Sequence, residues 1–180
     1  MTDRLEDGLA RVAPVSFRGT AYRQQGPGYD PSSGAGARRR GGRFNEPRSF
    51  PVLYLALSLQ TTAAELRQVS ERMGIAVVDA LPREVFSYEL ELTQVLDLLD
   101  QNSLAKLRVT TNELLAANQL RSREIGAAAL RVGFHATMAP SATGTGTILA
   151  VLLDNLGIGN CEPTLLGVWV TESELGESPR

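Results

Sequence analysis

Five residues have the side-chain types and the setting to do chemistry: Arg18, Arg43, Tyr54, Glu65 and Ser141. Arg18 lies in the strand-like run Val15 to Ala21, and Arg43 at the exit of a Gly-rich segment. Tyr54 sits inside the apolar run Pro51 to Ala56, and Glu65 near the start of the helical segment after it. That order brings two guanidiniums, a phenol and a carboxylate toward one cleft between a strand and a helix. A guanidinium grips phosphate or carboxylate through a planar fork of N–H donors. A carboxylate stabilises developing positive charge and accepts from hydroxyls. A charge inside an apolar strand also demands a partner, because unpaired burial is costly.

Each of these residues has a second reading. Thr62-Ala-Ala-Glu65 fits a capping box, in which Glu65 does no more than close a helix N-terminus. Tyr54 fits a core position, Arg18 a surface salt bridge, and Ser141 an ordinary turn with Ala142-Thr-Gly-Thr-Gly146. Arg38, Arg39, Arg40, Arg43 and Arg48 crowd one Gly-rich segment, where a run of charge also reads as a solvated loop. From residues alone, the reading stops at a domain with an anion-binding loop. A non-catalytic anion-binding or protein-interaction module using that loop is the alternative to an enzyme.

The elements that must position these groups follow from periodicity. Leu5 to Val12 reads as a helix stopped before Pro14, and Val15 to Ala21 as a strand. Residues 24 to 49, with six glycines and three prolines among them, read as a long loop without regular structure. A buried strand over 51–56 precedes a helix from Gln60 to Met73, with Ala64, Leu66 and Val69 inward and Gly74 at its end. Val85 to Leu92 alternates as a half-buried strand. Helices over Leu104–Ala117 and Arg121–Val132 follow, the second opened by Ser122 and closed by Gly133. Phe134–Met138, Thr147–Leu153 and Leu165–Val170 read as strands, and the polar tail from Thr171 is expected to fray. The order lacks regular βαβ alternation, so the expected class is α+β, a single domain. Gly34-Ala-Gly-Ala-Arg-Arg39 lacks both the third glycine and the following apolar helix of a dinucleotide fingerprint.

Composition narrows the chemistry further. The chain has 180 residues, one cysteine (Cys161) and one histidine (His135). A disulfide framework and a four-ligand Cys/His zinc site are therefore excluded, and no metal is expected. A Ser-His-Asp triad would have to run through His135, which stands among Phe134, Ala136 and Met138 where a strand begins. No segment approaches the ~20 apolar residues of a membrane span, and Asp3, Glu6 and Asp7 do not suit a secretory signal. The expected address is cytoplasmic, with no membrane partner. A formal net charge of −2 argues against direct nucleic-acid binding despite the arginine run.

Taken together, Gly36-Ala-Arg-Arg-Arg-Gly-Gly-Arg-Phe-Asn45, Val52-Leu-Tyr-Leu-Ala56, Thr62-Ala-Ala-Glu65 and Ala139-Pro-Ser-Ala142 resemble the RES domain, from about Phe17 to Val170. Phe44 stands where that family usually has Trp, and Gly19 follows Arg18 where many members carry an aromatic. The resemblance divides the chain into a helical extension over 1–14, a RES domain over 15–170 and a tail over 171–180. It implies a mixed, split β-sheet core flanked by helices, similar to ADP-ribosyltransferases. It also implies a toxin of a toxin–antitoxin pair that breaks the nicotinamide–ribose bond of NAD, by hydrolysis, phosphorolysis or ADP-ribosyl transfer. NAD enters as substrate and no resident cofactor is implied. The implied catalytic residues are Glu65 and Arg43. Arg18 and Arg43 would hold phosphates or ribose, Tyr54 would position nicotinamide, and Ser141 would add a hydrogen bond. The implied partner is an Xre-type helix-turn-helix antitoxin, with room for a homo-oligomer inside the toxin–antitoxin complex.

Overall fold

Residues of five strands alternate so that one side fills a barrel and the other meets helices or solvent. The computed structural model describes residues 2–157 and 161–179. Its strands are β1 (Val15–Gln25), β2 (Val52–Ala56), β3 (Arg83–Asp97), β4 (Ala136–Pro140), β5 (Thr147–Leu152) and β6 (Pro163–Trp169). The helices are α1 (Thr2–Leu9), α2 (Ala35–Arg40), α3 (Leu59–Met73), α4 (Gln101–Leu107), α5 (Thr111–Leu115) and α6 (Leu120–Val132). The strand order is β1-β2-β5-β4-β3-β6, and a further β1–β3 pairing closes the first five strands into a ring. Only β3–β4 is parallel, so the sheet is mixed, as the α+β class requires. β3 carries β1 along one edge and shares the other between β6, over residues 83–88, and β4, over 95–97.

Ala21, Leu53, Leu55, Phe86, Tyr88, Leu90, Leu92, Val95, Ala136, Leu149 and Val151 fill the ring, the inward half of a period-2 pattern. The outward half of β2 and β5, Val52, Ala150 and Leu152, packs with Phe44, Ile125, Ala128 and Ala129 under α6. Tyr54 is on this outer side, beside that cluster. A third cluster of Ala63, Leu66, Val85, Trp169 and Leu175 seats α3 near β6. Burying Leu66 alone is worth about 1.5–3 kcal/mol.

Several expectations change. The segment 24–49 is not uniformly irregular: β1 runs on to Gln25, and Ala35–Arg40 forms a helix. Alanine and arginine are good helix formers, and Asn45 Nδ2 ties the turn down by donating to the Ala37 carbonyl at 2.9 Å. Helix α3 is capped by Ser58, whose Oγ accepts from the Thr61 N–H. Thr62 is therefore inside the helix, its hydroxyl donating to the Ser58 carbonyl, and Glu65 lies in the second turn, outside any capping box. Val69 is exposed and Ala64 half-buried; the inward face is Thr62, Ala63, Leu66 and Ser70. The segment expected as one helix over 104–117 is two short ones, α4 and α5, and Gln119, not Ser122, precedes α6. The tail does not fray over 171–179: Leu175 is buried, and the Trp169 indole N–H donates to the Glu177 carbonyl at 3.0 Å. Among the described residues no helix is long and apolar enough to cross a membrane.

The backbones of α6 and of the loop after α2 approach each other closely at Gly126 and Phe44. A Cβ on Gly126 would sit 1.9 Å from the Phe44 carbonyl oxygen, so only glycine admits the contact. Gly126→Ala is expected to destabilise the chain by at least ~1–3 kcal/mol, the cost of overpacking a rigid contact. Urea or thermal denaturation checks this; an unchanged midpoint would mean the loop moves freely off α6.

Candidate active site

Residues 42–45 make a tight turn, with the Gly42 N–H donating to the Asn45 carbonyl at 2.9 Å. Tyr54, at the centre of β2, braces this turn. Its hydroxyl accepts from the Phe44 N–H at 2.8 Å and donates to Asn45 Oδ1 at 2.9 Å. The ring lies so close to Gly42 that a Cβ there would be 2.5 Å from the phenol oxygen. Burial pushes the Tyr54 phenol well above its ordinary pKa, with the Phe44 N–H and Arg43 opposing the shift, so it stays protonated. On the far side, Arg123 of α6 donates to the Gly42 carbonyl at 3.0 Å.

This bracing presents Arg43. The side chain is only 8% exposed, and Nη1 donates to the Pro140 carbonyl at 2.7 Å. No carboxylate oxygen lies within 4 Å of it among the described residues. Desolvation draws its pKa down while the Glu65 carboxylate holds it up, and Arg72 adds a like charge nearby. A guanidinium nevertheless stays charged. The result is a buried cation with spare N–H donors and no ion pair.

Residue 141 follows directly on the carbonyl that Arg43 holds. Ser141 is fully buried, and its hydroxyl donates to Glu65 Oε1 at 2.5 Å. Three positions of α3 meet the loop from Ser141 to Gly146. Gly146 packs against Thr61 so tightly that a Cβ would fall 2.0 Å from the Thr61 Oγ1. Glu65 takes the Ser141 hydroxyl, and Gln68 Nε2 donates to the Ala142 carbonyl at 3.0 Å. Positions 61, 65 and 68 share one helix face. Arg43, Tyr54, Glu65 and Ser141 thus come together, with the Tyr54 hydroxyl committed to the turn that carries Arg43.

No hydrogen bond or ion pair joins Arg18 to Arg43, Tyr54, Glu65 or Ser141 among the described residues. Arg18 is exposed on β1, opposite Glu91 of β3, while β1 meets β2 only at Tyr22 and Ala56. Its side of the strand faces outward, so no buried charge needs a partner there. The less exposed arginine of β1 is the half-buried Arg23, which shares the inward side with Ala21 and Gln25. Its Nη1 reaches the Pro31 and Ser33 carbonyls, and desolvation lowers its pKa, opposed by Tyr88 and Asp30. Inward alternation from Ala21 would have singled it out. The Ser122 hydroxyl of α6, buried with no partner among the described residues, was missed as well. A depression of about 420 Å³ beside α4 and α5 is lined by no ionisable group, and no metal-binding cluster occurs among the described residues.

A family model described as the RES domain matches residues 20–161, a span that includes Arg23 and leaves Arg18 outside. Curated relatives from Mycobacterium bovis and Mycobacterium tuberculosis, named NAD(+) phosphorylase MbcT, are 29% identical over 157 residues, 83% of this chain and 83% of theirs. The crystal structure of the M. tuberculosis MbcT–MbcA toxin–antitoxin complex superposes with a TM-score of 0.75 at 23% identity, covering 91% of this chain and 92% of that one. That likeness supports the same fold.

Tyr54→Phe removes one donor and one acceptor from a buried turn. It is expected to lower stability by ~1–3 kcal/mol, because the Phe44 N–H and Asn45 Oδ1 are left unpaired. Chemical denaturation measures the loss, and a neutral result would show that the turn does not depend on the phenol.

Proposed function

The chain belongs to the RES domain family, and from that premise we propose that it degrades NAD by breaking the nicotinamide–ribose bond. The observation that carries the proposal is the buried, unpaired Arg43 guanidinium adjoining a Glu65 carboxylate oriented by Ser141. NAD presents the complementary charges: a pyrophosphate for the guanidinium fork, and a ribose that turns cationic as the bond breaks.

In the proposed reaction the bonding pair leaves C1′ with the nicotinamide nitrogen, which discharges the pyridinium and leaves an oxocarbenium-like ribose. Glu65 stabilises that cation electrostatically and accepts from ribose hydroxyls. Arg43 holds phosphate oxygens with the N–H groups not committed to Pro140. Tyr54 acts through the Arg43 turn. The acceptor we put first is inorganic phosphate, as the name of the mycobacterial relatives implies: a phosphate oxygen bonds to C1′, giving ADP-ribose 1″-phosphate and a proton. No resident cofactor or metal enters the scheme. The site would be held in check by an antitoxin protein, which we take to be of the Xre helix-turn-helix type, with a homo-oligomer forming inside that complex. The reaction is assigned to the cytoplasm, where NAD and phosphate are both present.

Incubating the purified chain with NAD, with and without phosphate, and measuring nicotinamide release tests the reading. An anion-binding module without catalysis would release none. Glu65→Gln keeps an acceptor for Ser141 while removing the charge. It should cut turnover at least ~100-fold, about 2.7 kcal/mol in the barrier, with the melting temperature unchanged. Wild-type turnover in that variant would remove Glu65 from the chemistry.

The arginines of the loop are expected to divide sharply. Arg38, Arg39 and Arg40 are exposed on α2, where successive side chains diverge around the helix, whereas Arg43 is buried. Arg43→Ala should lose at least ~100-fold in rate, and Arg43→Lys should not restore it, because an ammonium lacks the planar fork. Arg39→Gln combined with Arg40→Gln should stay within about threefold of wild type, ~0.7 kcal/mol. Steady-state rates decide; a double variant weaker than Arg43→Ala would transfer the site to α2.

A further inference from the structure

We infer that Gln68 is a positioning residue for the cleavage proposed above: it holds the 141–146 loop so that the Ser141 hydroxyl is aimed at Glu65. This rests on the NAD reading for its catalytic readout, but the loop contact itself stands on geometry.

Ser141 lies between two residues whose carbonyls are held by side chains. The carbonyl before it, on Pro140, accepts from Arg43 at 2.7 Å, and the carbonyl of the next residue, Ala142, accepts from Gln68 Nε2 at 3.0 Å. The Ser141 hydroxyl then has one direction left for its proton. A carboxylate only accepts, so the Ser141 proton goes to Glu65, while Ser141 Oγ accepts from the Thr143 N–H at 3.1 Å and has Thr143 Oγ1 2.7 Å away. Gln68 stands on α3 one turn beyond Glu65, so its bond fixes the loop relative to the helix that carries the carboxylate.

Gln68 also carries a cost that packing alone does not explain. Its Oε1 is buried and has no hydrogen-bond partner among the described residues. An unsatisfied buried acceptor costs free energy, and an apolar side chain of similar length would avoid that cost. A glutamine retained for stability should have both ends satisfied. One retained for the Nε2 bond to Ala142 need not.

The test is Gln68→Met, which keeps length and removes both the donor and the orphan acceptor. Stability should be equal to or above wild type. Nicotinamide release should fall about tenfold in kcat, ~1.4 kcal/mol, with KM within about twofold. In a Ser141→Ala background the same change should have no further effect, because Gln68 acts through Ser141. Amide exchange gives a readout free of NAD: Thr143 and Gly144, whose N–H groups bond to Ser141, should exchange at least about tenfold faster, with α3 unchanged. Wild-type kcat, additive losses in the double variant, or a fall in stability that accounts for the lost rate would overturn the assignment. If the wild-type chain releases no nicotinamide, the NAD reading fails. The exchange rates then still decide whether Gln68 holds the loop.

Discussion

Burying a guanidinium without an ion pair is the constraint around which this site is built. Desolvating a charge costs several kcal/mol unless hydrogen bonds or opposite charge compensate. Arg43 receives one carbonyl, a carboxylate that is nearby but not within 4 Å, and no salt bridge. The backbone that carries it must therefore be held by other means. Tyr54 holds the turn from β2, Arg123 and the Gly126 contact hold it from α6, and Asn45 ties it back to α2. Each of these is a short-range contact made possible by a missing Cβ or a buried polar group. Together they keep a cation desolvated and unsatisfied, a state that an anionic ligand relieves.

The second half of the site is built by the opposite device. Glu65 gains its orientation from a loop of small residues laid along one face of α3, and not from a charge partner. Gly146 permits contact at Thr61, Ser141 meets Glu65, and Ala142 meets Gln68. Arg43 touches the same loop at Pro140, so the turn and the helix communicate through it. Keeping the cation and the carboxylate apart while a neutral loop bridges them prevents the two charges from cancelling each other. Both fields remain available to a ligand that carries a phosphate at one place and a developing cation at another.

Much of this was legible in the sequence because periodicity and capping are local. The alternation of β3, the apolar β2 with Tyr54 at its centre, and α3 ending at Gly74 all follow from neighbouring residues. The cluster of Arg43, Glu65 and Ser141 was legible only as a resemblance, since 97 residues separate Arg43 from Pro140 and no local rule joins them. Where local reasoning failed, a stronger local or tertiary term won. Ser58 outcompeted Thr62 as the cap and moved Glu65 into the second turn. Ala37 and three arginines made a helix where glycine suggested none. Trp169 drew the tail back onto the sheet.

Arg18 and Arg23 show how a strand can mislead. Both are arginines in β1, yet their odd separation of five residues puts them on opposite faces of the pleat. Arg18 follows the exposed parity of Ser16, and its solvated charge needs no protein partner. Arg23 follows the parity of Ala21 and lies half-buried beside Tyr88. The rule that a charge in an apolar strand needs a partner is sound, but it applies only after parity has been assigned. Placing Arg23 required knowing that β1 continues to Gln25, and that extension is stabilised by β3, a partner 71 positions away at Gly19 and Leu90 and nearer at the strand's end. Which arginine of this strand is drawn inward is thus set by a long-range pairing, while the turn that presents Arg43 is set by the absence of side chains at Gly42 and Gly126.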